Sequence, residues 1–186
     1  QYHIIVNLDK KQYLHPHRFG DGLKLLEFGC SKVTMAALAM LLANSNGRGG
    51  GDFNSDDPLI GSWAGDRIAI VGDYDDPDVL NYPTSTNDNP ERNLYFCADQ
   101  GELEDISERV MIAMAQDIRL KFYLIANRIY LRKNGTHTYV HRSMGNTPID
   151  GVDGDDDLRD MYEHLPDKYK VFDVETLIEK ANHTPA

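Results

Sequence analysis

Cysteine is scarce: the chain has only Cys30 and Cys97, and no Cys-x-x-Cys pair. That removes a zinc ribbon and a thioredoxin-like redox motif. Two free, buried thiols in a reducing cytoplasm are the expectation, with a single disulfide as the alternative. No apolar run reaches the roughly 18 residues that a membrane-spanning helix needs. The first residues carry no basic segment followed by a long apolar core, so no secretory signal is expected. Positive charge is also short, with 19 Lys and Arg against 30 Asp and Glu and a formal net charge of −11. Such a field repels polyanions, so general nucleic-acid binding and docking on an anionic membrane are not expected. A basic partner is permitted, yet the acids cluster in loops rather than in helical stripes, which suits solubility better than mimicry of nucleic acid. No Gly-x-Ser-x-Gly elbow is present, and there is no internal repeat or long low-complexity segment.

What is present suits one domain. The 186 residues are 41% hydrophobic, which speaks against wholesale disorder. A chain of this length buries about 70% of its unfolded surface on folding. The expected architecture is α+β: a mainly antiparallel sheet packed on one buried apolar helix and one amphipathic helix, in a single domain spanning 1–186. Long loops are expected at 46–62, 74–93 and 143–157.

Tyr2–Leu8 has the near-continuous apolar character of a strand covered on both faces. Pairing ends at Leu14-His15-Pro16-His17, because Pro16 has no N–H to donate. Phe19–Gly22 is a turn, and Leu23–Phe28 suits either helix or strand. Ser31–Asn44 is the clearest helix, with Ser31 as its N-cap and almost no polar face, so a buried central position is expected. Asn44–Gly47 supplies its stop. Arg67–Val71 and Leu94–Ala98 read as strands. Glu102–Leu120 reads as a helix, with Ile106, Val110, Met111, Met114 and Ile118 in one stripe and acids in the first turn. Phe122–Ala126 begins another strand. Short helices are expected from Asp157 to Leu165 and from Val171 to Lys180.

The most suggestive stretch is Arg128–His141. Asn134-Gly135 favours a two-residue type I′ turn, which would pair Tyr130 with Tyr139 and Arg132 with His137. Alternation then puts Ile129, Leu131, Thr138 and Val140 on the core face, and Arg128, Tyr130, Arg132, His137, Tyr139 and His141 on the other. Arginine offers a planar fork for phosphate or carboxylate, and tyrosine a stacking surface. The ordinary alternative is a solvated strand face.

Other candidates are weaker. The glycines of 47–51 follow a helix rather than opening one, so they make no phosphate cradle; a flap with Arg48 as its clamp is the better expectation. Trp63 either stacks on a ligand or anchors its loop from within. His15, His17, Asp21 and Asp73 are candidate metal ligands, since a hydrolytic centre wants imidazoles with a carboxylate. An EF-hand frame begun at Asp153 fails, with Leu158 in the glycine position and His164 in the glutamate position.

The functional expectation is a non-catalytic binding protein. Its hairpin face would hold an anionic small molecule, a nucleotide-like ligand or an acidic protein partner, with Arg48 and Trp63 nearby. The alternatives are a metal-dependent hydrolase on the His15/His17/Asp21 segment, with a divalent metal as its cofactor, and an assembly protein that forms homo-oligomers.

Overall fold

The computed structural model describes residues 1–117, 119, 120, 123 and 124, and the backbone of 129–131 and 137–139. In chain order these give β1 (His3–Asn7), β2 (Gln12–Leu14), a 3-10 turn (Pro16–Phe19), α1 (Leu25–Gly29), α2 (Thr34–Leu42) and β3 (Ile68–Gly72). Then come α3 (Leu94–Asp99), β4 (Glu104–Asp105), α4 (Ser107–Ala115), β5 (Ile129–Leu131) and β6 (His137–Tyr139).

The four-stranded sheet has the order β3-β1-β2-β4. It is mixed rather than uniformly antiparallel: β1 is antiparallel to both β2 and β3, while β2 and β4 run parallel. An α+β class holds. β1 is buried along its whole length, as its unbroken apolar run requires. Its alternation feeds two cores. Ile5 and Leu14 pack with Phe19, Phe28, Met40, Leu41, Trp63, Val110 and Met114 on one face. Ile4, Val6 and Val71 pack with Leu94, Cys97 and Leu103 on the other. Each such side chain fully buried contributes about 1.5–3 kcal/mol, so β1 is held from both sides.

Several expectations are corrected. Leu94–Asp99 is a helix, not a strand: the Asn93 side chain accepts the Phe96 N–H and starts it. Helical pairing beats the β preference of Tyr95 and Phe96 because the cap is local and Cys97 and Ala98 lie in the core on the helical spacing. The expected helix from Glu102 begins instead at Ser107, after Glu104 and Asp105 have joined the sheet. Residues 123 and 124 are helical rather than extended. Cys30 is exposed, and only Cys97 is the buried thiol expected of both. The undecided Leu23–Phe28 segment contains a helix.

α2 is shorter than expected and is not buried all round. Ala37, Met40 and Leu41 face the core, while Ala39 and Leu42 are exposed. The N-cap position is Val33 and not Ser31; from two residues earlier the Ser31 Oγ accepts the N–H groups of Val33 and Thr34 at 2.9 and 3.2 Å. The far end is stopped by docking rather than by Asn44–Gly47. Gly61 N–H donates to the Met40 carbonyl and Trp63 N–H to the Leu41 carbonyl, both at 2.9 Å, which satisfies carbonyls that a helix end leaves open.

The 74–93 connection is pinned, not loose. Buried Arg92 pairs with Glu102, its Nε donates to Gln100 Oε1, and its Nη1 donates to the Thr84 carbonyl. Asp78 Oδ1 accepts the N–H groups of Thr84 and Ser85. Among the described residues no helix is long and apolar enough to cross a membrane. The expected loop 143–157 and the helices expected at 157–165 and 171–180 lie outside the described residues.

Candidate functional site

A groove of about 430 Å³ is lined by Lys10, Gln12, Asp57, Pro58, Leu59, Ser62, Arg109 and Ile112. Three elements build it. The first is the turn between β1 and β2. There Asn7 Oδ1 accepts the N–H groups of Asp9 and Lys10 at 3.0 and 2.8 Å, an Asx-type turn. It sets Lys10 and Gln12 on one side. The second is the 57–63 segment. Asp57 Oδ1 accepts the Leu59 N–H at 2.9 Å, and Ser62 N–H donates to the Leu59 carbonyl at 3.0 Å. The third is α4, where Arg109 and Ile112 stand three residues apart and so share a helix face. α4 is tied to the sheet by His15 N–H, which donates to Ser107 Oγ at 2.9 Å.

The lining mixes apolar side chains, Pro58, Leu59 and Ile112, with the charged Lys10, Asp57 and Arg109. Lys10 pairs with Asp66, and Arg109 Nη1 donates to Glu104 Oε1 at 3.0 Å. Hydrogen bonds from Asn7 and then Lys10 hold the Asp66 carboxyl below its ordinary range. Both cations are about half exposed, at 42% and 55%, so these pairs are weak and can yield to a competing anion. Gln12 Oε1 accepts the Trp63 Nε1–H at 2.9 Å, which leaves the amide NH2 as the end available to a ligand. The Ser62 hydroxyl is buried and has no hydrogen-bond partner among the described residues.

The residues singled out from sequence fare differently. Trp63 is fully buried and anchors its segment through Gln12, so its ring has no open face for a ligand. Arg48 is exposed in the glycine-rich loop, where its own N–H donates to Asp52 Oδ2. His15 and His17 come together, with ring centroids 5.4 Å apart. Asp21 and Asp73 do not join them as a donor set. The buried Asp21 carboxylate accepts from the Ser31 and Thr34 hydroxyls at the start of α2, and Asp73 Oδ1 accepts the Tyr2 N–H. Among the described residues no three His, Cys, Asp or Glu side chains are placed to hold a metal ion.

β5 and β6 form an antiparallel pair, but in a different register. Ile129 faces Tyr139, Tyr130 faces Thr138, and Leu131 faces His137. This is one residue away from the pairing that a two-residue turn would impose, so Tyr130 and Tyr139 are not partners. Because side chains alternate along a strand, a one-residue slip changes which positions share a face. Arg128, Arg132 and His141 lie outside the described residues, as do the side chains of Tyr130, His137 and Tyr139.

The sequence offered no local signal for the groove. Lys10, Ser62 and Arg109 are far apart along the chain, and only the β1–β2 turn and the docking of α4 bring them together. Nor does comparison with known proteins supply one: no family model, no curated protein and no solved structure matches this chain.

Proposed function

We propose that the chain is a binding protein for a small organic anion, held in the groove between Lys10 and Arg109. One observation carries this reading: two cations, Lys10 and Arg109, line the same groove as the apolar Pro58, Leu59 and Ile112, in a molecule of net charge −11. The volume lies within the range of small-molecule sites. Pro58, Leu59 and Ile112 would take the apolar body of the ligand, and Lys10 and Arg109 its carboxylate or phosphate. Asp57 would accept a hydrogen bond from a hydroxyl or amine and disfavour a second anion.

The test is a panel of small carboxylates and organic phosphates, followed by protein NMR shifts. The wild type should show saturable shifts at Gln12, Ser62 and Ile112 with at least one class. The Lys10→Ala/Arg109→Ala double variant should lose them while its stability stays within about 1 kcal/mol, because both ion pairs are exposed. A panel without saturable shifts, or shifts that survive the double change, would refute the reading.

The 128–141 stretch is the alternative site for the same ligand class, chosen for Arg128 and Arg132 in its sequence, although the β5–β6 register pairs Tyr130 with Thr138 and not with Tyr139. An Arg128→Ala/Arg132→Ala variant separates the two. Loss of binding in that variant, with binding kept in the groove variant, would move the site to the hairpin.

A further inference from the structure

We infer that β3 is the contact through which two copies of this chain pair, antiparallel and about a two-fold axis at Ala69. This is independent of the groove. β3 stands at the end of the strand order, and among the described residues no strand covers its outer edge. Its ladder with β1 shows which groups that edge presents. Leu8 N–H donates to the Arg67 carbonyl, and Asp73 N–H donates to the Tyr2 carbonyl. In that register the odd-numbered residues of β3 direct their N–H and C=O toward β1, so Ile68, Ile70 and Gly72 direct theirs outward. Gly72 is already satisfied: its N–H donates to Asp75 Oδ2 at 2.8 Å, and its carbonyl accepts the Asp75 N–H. Among the described residues, the groups left open are those of Ile68 and Ile70.

That pattern complements itself. With Ala69 on the axis, Ile68 of one copy faces Ile70 of the other, and the reverse holds by symmetry, as in any isologous contact. The four N–H and four C=O groups then pair completely in four hydrogen bonds. Ile70, 46% exposed at the middle of the strand, would pack on Ile68 of the second copy, and both lie on the same side of the sheet. Charge agrees with this register. Arg67, half exposed at one end of β3 and paired with Asp9 of its own chain at 2.9 Å, falls diagonal to Asp73 of the second copy, a separation that a long side chain spans, and an exposed pair of this kind yields to a competing carboxylate. The two-fold axis makes two such pairs. An uncovered apolar edge strand is otherwise a hazard that proteins usually block with charge or a covering element. The interface is short, and each copy carries a net charge of −11, so the dimer is weak and strengthens as salt screens the repulsion.

Sedimentation velocity of the full chain over a wide concentration range tests this, with amide exchange alongside. The expected result is a reversible monomer–dimer equilibrium that added salt favours. Exchange at Ile68 and Ile70 should slow as the dimer fills. Ile70→Lys should remain monomeric with an unchanged circular dichroism spectrum, since Ile70 is half exposed. Arg67→Asp should weaken the dimer, and Arg67→Asp with Asp73→Arg should restore it. A wild type that stays monomeric at every concentration overturns the inference. So does a dimer that survives Ile70→Lys, or one in which Ile68 and Ile70 gain no protection.

Discussion

Asp117 shows how much one buried carboxylate can organise. It accepts from Arg119 Nη2 at 2.8 Å, from Arg119 N–H at 2.9 Å and from Asn54 N–H at 2.8 Å. It thereby fastens the glycine-rich loop to the end of α4, and Arg119 Nη2 also reaches the Asp52 carbonyl. The Arg119 hydrogen bonds, with smaller help from the Asn54 and Arg119 backbone, outweigh burial and hold this carboxyl well below the ordinary value of 3.8. The sign follows from linkage: a depressed folded-state value stabilises the fold fully above the ordinary range and loses that effect as pH falls below it. Asp117→Asn should cost about 1.5–3 kcal/mol at neutral pH. In urea unfolding, the gap between wild type and variant should shrink as pH drops below 3.8. A gap independent of pH would mean that the charge contributes nothing. From sequence Asp117 was only the penultimate polar residue of an expected helix; its role depends on a loop more than sixty residues earlier, which no local pattern reveals.

Among the elements, β1 and α2 were legible because their signals are local. An unbroken apolar run predicts a doubly covered strand, which is present, and Ser31 ahead of an apolar helix marks its start to within a turn, with Val33 at the cap position. α3 was missed because aromatic content outweighed the Asn93 cap. The groove could not be read at all, since its walls meet only through tertiary contact. The end of α2 is a similar case. Gly61 holds a left-handed φ of 77°, and a Cβ there would stand 2.5 Å from the Ala43 carbonyl oxygen. Gly61→Ala should therefore destabilise by more than about 1 kcal/mol and disturb the seating of Trp63. Thermal melting with Trp63 fluorescence measures both, and an unchanged melt would show that the close approach is not needed. The 74–93 connection is a long loop as expected, and Arg92 and Asn93 supply the partners that order it.

For the whole molecule, the two cores share one strand. Ile5 belongs to the core that holds Trp63, while Ile4 and Val6 belong to the core that holds Cys97. Neither face can open without stripping β1, so the described part should unfold in a single transition. In a Cys30→Ala background, Trp63 fluorescence and Cys97 thiol labelling should report the same urea midpoint; separate midpoints would show independent halves. The same strand has a consequence for synthesis. β1 needs β3 as its second neighbour, and Ile68 is made roughly 3–13 s after His3 at ordinary translation rates. Through that interval β1 lacks its second strand neighbour, and Leu94, Cys97, Leu103 and α4, which close the two cores, are made later still. Nascent-chain binders therefore meet His3–Asn7 as an apolar segment still open along one edge, and the strand enclosed on both faces in the finished fold is made well before the elements that enclose it.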